Sequence, residues 1–209
     1  MTMQTDDEQL EELKRWWKKY GGPVLTGLVV GLVLVFGGRA WLDQQERQRQ
    51  TASAEYEQLR GELATGNLEA ARSRTAYLTD KFERTPYAVL ASLALASAQV
   101  ERDQLEEARG NLQWALDNAR DPEPQHVARL RLARVQAALG ESEAALTTLG
   151  NSAPPAFAAA YEELRGDLHA ASGNQQQARA AYERALEALE FGAGSELVQM
   201  KLENLGARG

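Results

Sequence analysis

The sequence of 209 residues contains no cysteine. This absence excludes disulfide bonds, thiolate metal sites, cysteine nucleophiles and a lipid-modified N-terminal cysteine. Basic residues are also fewer than acidic ones, because the chain has 23 lysines and arginines and 30 aspartates and glutamates, which gives a net charge of −7. Nucleic-acid binding needs a basic surface that neutralises phosphates, so we expect no nucleic-acid partner.

Motifs that carry catalytic chemistry are equally scarce. The two histidines, His126 and His169, have no second ligand at metal-binding spacing. Adjacent acids such as Glu106 and Glu107 project about 100° apart on a helix, which indicates a solvated face. The sequence has no nucleophile elbow, phosphate loop or dinucleotide-binding turn. We therefore expect a protein that is not an enzyme and that uses no cofactor or metal.

Three arginines on one predicted helix, Arg129, Arg131 and Arg134, raise the question of an anion site. Acidic residues such as Asp121 and Glu141 lie in the same repeat and favour a mixed-charge helix surface instead. The sequence alone leaves both interpretations open.

One long apolar run lies near the N-terminus, where residues 20–38 contain no charged side chain. As a helix this run would extend roughly 28 Å, close to the hydrocarbon thickness of a bilayer. Trp16, Trp17 and Trp41 flank it, and tryptophan rings favour the headgroup level. We predict a cytoplasmic tail over 1–20, a transmembrane helix over 21–40 and a linker or helical extension over 41–50.

The alternatives to a membrane anchor are a cleaved signal peptide and a buried core helix. Arg39 makes 38–40 a poor cleavage site, and a core helix of this length would usually carry some charge. Four basic residues precede the run, which predicts a cytoplasmic N-terminus and an extracytoplasmic C-terminal domain. Gly27 and Gly31 are candidates for transmembrane helix packing, although glycine is also common in membrane helices.

A short phrase recurs through the remainder of the chain. It reads GNLEAA at 66–71, DQLEEA at 103–108, GESEAA at 140–145 and GNQQQA at 173–178. The closing alanines lie 37, 37 and 33 residues apart, near the 34-residue tetratricopeptide period. In the last copy, Gly166, Gly173 and Tyr182 occupy small, turn and aromatic positions of that pattern. Helical spacing without period-two alternation predicts an all-α, tetratricopeptide-like solenoid over 51–209.

Proline and glycine mark the predicted helix ends within this repeat domain. Pro86, Pro122 and Pro155 stand at helix starts, whereas Gly140 and Gly173 stand at helix ends. The segment 195–205 is predicted to form a helix that caps the stack.

Helix A of each tetratricopeptide pair commonly lines a groove that receives a peptide or a partner helix. The alignment predicts a partner-binding groove with an apolar floor and basic edges, formed by Tyr56, Arg60, Leu90, Leu93, Leu130 and Arg134. The alternative is that the leucines pack inside their own repeats, because an alignment error of one residue rotates a helix by about 100°.

Several phrases together resemble the YfgM family, the ancillary subunit of the SecYEG translocon in Gram-negative bacteria. They are an acidic then basic N-terminal tail, one apolar span, YAVLASL at 87–93, LRLARV at 130–135, LRG at 164–166 and QMKLENL at 199–205. The resemblance covers the whole chain.

That resemblance implies a single-pass inner-membrane protein with a periplasmic tetratricopeptide repeat domain. Its expected partners are the SecYEG translocon, a PpiD-like membrane-anchored chaperone and exported client polypeptides, and its expected role is in protein export. A second interpretation is a regulator whose cytoplasmic tail acts on a stress-signalling partner.

Overall fold

A computed structural model describes residues 4–189 and 194–206 of the chain. These residues form helices and connecting turns, with no β-strand among them. The helices are α1 (Gln4–Ala64), α2 (Leu68–Lys81), α3 (Pro86–Val100), α4 (Leu105–Asn118), α5 (Pro122–Ala138), α6 (Ser142–Leu149), α7 (Pro155–Ala171), α8 (Gln175–Leu189) and α9 (Ser195–Gly206). The prediction of an all-α fold is confirmed.

The chain divides into two compact units, one that ends at Gln50 and one that begins at Thr51. In the first unit, large apolar side chains of α1 are exposed, as in Leu28 at 62%, Leu34 at 71% and Phe36 at 63%. Among the described residues, α1 is the one helix long and apolar enough to cross a membrane.

The described residues of the second unit form a stack of four helix pairs and a final helix. The last turns of α1, from Thr51 onward, pair with α2, and the following pairs are α3–α4, α5–α6 and α7–α8. Each pair also packs on the next, and α9 packs on α8. We call these pairs the first to the fourth repeat, with helix A preceding helix B in each.

Within each repeat, helix A and helix B meet around a small residue. The alanines that close the recurring phrase, Ala71, Ala108, Ala145 and Ala178, are all fully buried. An alanine there lets two helices approach closely, because a larger side chain would hold the backbones apart. The repeat that these alanines predict is therefore present in the structure.

The turn between helix A and helix B is the same in all four repeats. The residue that opens the phrase has a positive φ of 73° at Gly66, 58° at Asp103, 81° at Gly140 and 76° at Gly173. The next backbone N–H in each case donates to the carbonyl five residues back, as from Asn67 to Glu62 at 2.9 Å. This is the Schellman arrangement that satisfies carbonyls at a helix C-terminus.

The third repeat is irregular, because its helix B, α6, has only eight residues. Two arginines donate to carbonyl oxygens around its C-terminal end, Arg129 to Thr148 at 3.3 Å and Arg165 to Gly150 at 2.7 Å. Such bonds satisfy carbonyls that have no partner within the helix.

The last helix, α9, closes the stack through one apolar and one charged anchor. Val198 is 1% exposed in a cluster with Ala178, Tyr182 and Ala185 of α8. Lys201 Nζ donates to Glu163 at 2.7 Å and to Asp167 at 2.8 Å on α7. Burial opposes the charge on Lys201, but these two carboxylates outweigh it and raise the lysine pKa.

Candidate functional site

A groove of about 720 Å³ crosses the A helices of the first three repeats. Its walls come from α1, α3 and α5, so residues far apart in sequence meet there because successive A helices stack side by side. The lining residues are Tyr56, Arg60, Leu63, Leu90, Leu93, Ala94, Ser97, Glu123, Pro124, Val127 and Arg131. We call this surface the groove.

The groove has an apolar floor. Leu93 lies deepest, at 6% exposure, while the partly exposed Tyr56 packs its ring 5.9 Å from that of Tyr87. An aromatic side chain with one face buried and one polar end supplies a rigid contact surface with little entropy loss. Such a floor suits the apolar face of a bound polypeptide.

Charged side chains stand at the edges of the groove. Arg60 forms an ion pair with Glu57 at 3.3 Å in which both side chains are more than 60% exposed, so the pair contributes little stability. Arg131 donates to the carbonyl oxygen of Leu93 at 3.3 Å. Glu123 supplies a negative group on the same wall as Arg131. The edges can therefore discriminate between partners by charge.

Four of the six residues that the sequence analysis assigned to a groove line it together: Tyr56, Arg60, Leu90 and Leu93. Their capacity to bind a partner stays a prediction.

Leu130 and Arg134 lie elsewhere, which corrects their placement. Leu130 is buried in the core of the third repeat with Leu149 and Leu164. The reason is that α5 packs against α3 on one side and α7 on the other. Leu130 faces α7, while Val127 and Arg131 face the groove beside α3. The alternative interpretation, that the leucines belong to the core, is correct for Leu130.

The sequence carried a partial signal for the missed residues. The phrase repeats with a 37-residue spacing from the second to the third repeat, and this spacing transfers Leu90 to Val127 and Ala94 to Arg131. All four line the groove. The signal is partial because the same spacing also transfers Leu93 to Leu130, which lies in the core of the third repeat. Glu123 and Pro124 had no such signal, because they belong to the first turn of α5.

A smaller depression of about 240 Å³ adjoins the groove and shares Ser97 and Arg131 with it. It is formed by α3, α4 and α5, and we call it the side pocket. Arg134 lines it, together with the apolar residues Ala96, Val100, Leu105, Leu112, Val135 and Ala138. Arg134 therefore lies in the side pocket next to the groove, three residues after Arg131, which lines both.

The two histidines take structural positions. Nδ1 of His126 lies 2.7 Å from the hydroxyl of the fully buried Tyr161, which joins α5 to α7. His169 is partly buried in α7, and burial together with Arg165 and Arg184 lowers its pKa. The described residues contain no group of three or more metal-ligating side chains.

The glycines singled out for membrane packing face open space. A Cβ added at Gly27 or Gly31 would meet no other atom of the chain within 4 Å. Their role in helix packing stays a prediction.

Comparison with known proteins identifies the family. A family model described as a tetratricopeptide repeat-like domain matches residues 14–207. A protein of Escherichia coli strain K12, named ancillary SecYEG translocon subunit, is 31% identical over 202 residues, which cover 97% of each chain.

Two further relatives carry the same name. The protein of Haemophilus influenzae is 31% identical over 96% of this chain and 97% of its own length. That of Neisseria gonorrhoeae is 27% identical over the same shares. The match runs through both units, and the chain thus belongs to the tetratricopeptide repeat-like family of ancillary SecYEG translocon subunits.

Proposed function

We propose that this protein is a membrane-anchored subunit that associates with a SecYEG-type translocon and holds a partner polypeptide in its repeat domain. The observation that carries the proposal is the groove, an open apolar surface across three A helices in a chain that matches translocon subunits over nearly its full length. Such an open apolar surface is suited to binding a polypeptide.

The anchor in this proposal is the apolar part of α1, with the N-terminus in the cytoplasm and the repeat domain in the periplasm. The exposed apolar side chains of the first unit support the membrane location, since water would disfavour so large an apolar surface. The basic residues before the span support the orientation.

The partners in this proposal are the translocon, a PpiD-like membrane-anchored chaperone and exported client chains. The protein would keep the chaperone near the channel exit and help to hand exported chains onward. The groove supports this role because its floor accepts apolar side chains, which are exposed in a chain that has not yet folded.

Recovery of the channel with the tagged full-length protein, solubilised from membranes in mild detergent, tests the proposal. Two domain exchanges, one replacing residues 1–50 by an unrelated single-pass anchor and one replacing residues 51–209 by an unrelated helical domain, locate the determinant. Failure of the full-length protein to recover channel subunits would contradict the proposal.

The same exchanges test the second candidate function, a regulator that acts through its cytoplasmic tail. The observation that favours it is the segregation of acidic and basic residues in the first 19 residues. The tail and span can be fused to an unrelated domain and expressed in a strain that lacks the protein. If this fusion restores the wild-type phenotype, the protein acts through its tail and the proposed export role is wrong.

A further inference from the structure

The side pocket provides a recognition element that the groove lacks. We propose that it receives one bulky apolar side chain of a partner polypeptide, while Arg131 and Arg134 bind a carboxylate next to that side chain. This inference rests on the proposed function, because it specifies which segment the repeat domain selects.

The size and lining of the pocket fit a single large side chain. A cavity of about 150 Å³ holds a benzene molecule, so a volume of about 240 Å³ accommodates a phenylalanine or leucine side chain. Leu112 and Val135 form a buried apolar base, and Val100, at 42% exposure, forms an open edge. Among the described residues of the repeat domain, Tyr77, Leu197 and Met200 are the other large apolar side chains with comparable exposure, and a bound side chain would cover Val100.

Arg131 and Arg134 give the pocket a positive edge, while Glu123 lies two turns earlier on α5 and Arg131 also donates to the carbonyl oxygen of Leu93. Arg131 and Arg134 are three residues apart on α5, which places them on one helix face within about 6 Å of each other. Both side chains are exposed, and neither forms an ion pair with a carboxylate among the described residues. Arg74, by contrast, pairs with Glu55 and Glu62 in the first repeat.

These two features together select an acidic and apolar segment. Guanidinium groups bind a carboxylate through directional, charge-assisted hydrogen bonds, and a neighbouring apolar pocket excludes water from one side of that contact. Because Ser97 and Arg131 belong to both the pocket and the groove, the remainder of the segment can continue along the groove floor.

The occupant that fits is a defined segment of a fixed partner protein. A carboxylate and a large side chain at one spacing constitute a sequence requirement, and exported clients of varied sequence would meet it only by chance.

Selection of a random twelve-residue peptide library on the full-length protein in lipid nanodiscs tests this inference. We expect enrichment of peptides that carry an aspartate or glutamate within a few residues of phenylalanine, leucine, isoleucine or methionine. Fluorescence anisotropy then gives the affinity of the most enriched peptide for each variant.

Two variants address the two parts of the site. Arg131→Glu/Arg134→Glu should weaken binding at least about tenfold, because each reversal places like charges together. Ala138→Phe fills the pocket from an exposed position and should weaken binding while circular dichroism shows an unchanged fold. The matched control, Arg84→Glu/Arg120→Glu, makes the same change in net charge at exposed positions outside both cavities and should leave affinity unchanged.

Equal loss of affinity in both double variants would show general charge attraction and would overturn the inference. Enrichment of peptides without acidic residues, or preferential uptake of a fluorescent fatty acid, would overturn it as well. Because channel recovery from membranes is measured separately, failure of the peptide selection with intact channel association would refute this inference and leave the proposed function standing.

Discussion

The first and fourth repeats fill the space between helix A and helix B differently: the larger residue is on helix A in the first repeat and on helix B in the fourth. Seven residues before the turn glycine, helix A carries Leu59 in the first repeat and Gly166 in the fourth. Nine residues after that glycine, helix B carries Thr75 in the first repeat and Tyr182 in the fourth. All three side chains are at most 3% exposed. A large residue on one helix is thus matched by a smaller one on the other.

The two middle repeats follow the same rule at an intermediate size. Their pairs are Ala96 with Leu112 and Ala133 with Leu149, and each pair lies in one core cluster. The repeat therefore preserves the filled volume between its helices and not the identity of either residue. Interiors at crystal-like density allow such exchanges only in compensating pairs.

Replacement of Gly166 by alanine should have the largest effect on stability. The added Cβ would lie 2.4 Å from Cε1 of Tyr182, so the helices or the ring must shift. We expect the free energy of unfolding to fall by about 3 kcal/mol, measured by urea denaturation of the full-length protein in detergent. Gly110→Ala is the matched control, because its Cβ meets nothing within 4 Å and alanine favours the helix.

The double variant Gly166→Ala/Tyr182→Leu recreates the pair found in the second and third repeats. It should recover most of the stability that Gly166→Ala loses, although it removes the hydrogen bond from the Tyr182 hydroxyl to Asp167 at 2.8 Å. The interaction energy follows from a double-mutant cycle with both single variants. Additive losses would show that the reciprocal sizes are coincidental.

In the first repeat, Thr75→Val should stabilise the protein by about 1 kcal/mol. The Thr75 hydroxyl is buried and has no hydrogen-bond partner among the described residues, so valine keeps the shape and removes the unpaired group. Thr79→Val on the same helix is the control, since Thr79 donates to the carbonyl of Ala76 at 3.0 Å. A loss of stability in Thr75→Val would show that the hydroxyl is satisfied.

The turn gives a smaller test of the comparison between repeats. Asp103 has a φ of 58° where the first and fourth repeats have glycine. Asp103→Gly should raise the free energy of unfolding by about 0.5 kcal/mol, because relief of left-handed strain exceeds the added freedom of the unfolded chain. A lower urea midpoint in the variant would mean that the aspartate side chain stabilises the turn.

The smallest effect concerns pH. His169 has a folded-state pKa below the ordinary value of 6.5, owing first to burial and then to Arg165 and Arg184. The unfolded chain therefore binds the proton more readily, and stability present above pH 6.5 declines as the pH falls below it. Gln99 and Gln136 occupy the equivalent position in the second and third repeats. The variant His169→Gln should therefore fold normally and show a smaller fall in the urea midpoint between pH 7 and pH 5.

The repeat structure was predictable because it depends on local chemistry. The recurring phrase predicts the turn and the buried alanine together, and Pro86, Pro122 and Pro155 begin helices as expected. Even the strained Asp103 follows from its place in the phrase. Backbone conformation and close helix approach each restrict the residue types strongly, so both leave a signal in the sequence.

The groove was less predictable, because its lining depends on which neighbour each helix face meets. Every A helix between the ends of the stack has two A-helix neighbours, and Leu130 and Val127 differ only in which one they face. Apolar periodicity does not separate these two environments. The charges of Arg131 and Arg134 did not predict which surface these side chains line. An arginine can form an ion pair, donate to a carbonyl oxygen or stand at the edge of a pocket.

The short α6 has a consequence for how the stack opens. The first four N–H groups of any helix have no acceptor within it, so the eight residues of α6 retain only about four internally bonded amides. The corresponding helices α2, α4 and α8 have 14, 14 and 15 residues. In a linear array each repeat is stabilised only by its neighbours. A repeat of low intrinsic stability therefore allows the repeats on its two sides to unfold separately. Amide hydrogen exchange should accordingly be fastest in α6, and the array should unfold as two blocks that separate at the third repeat.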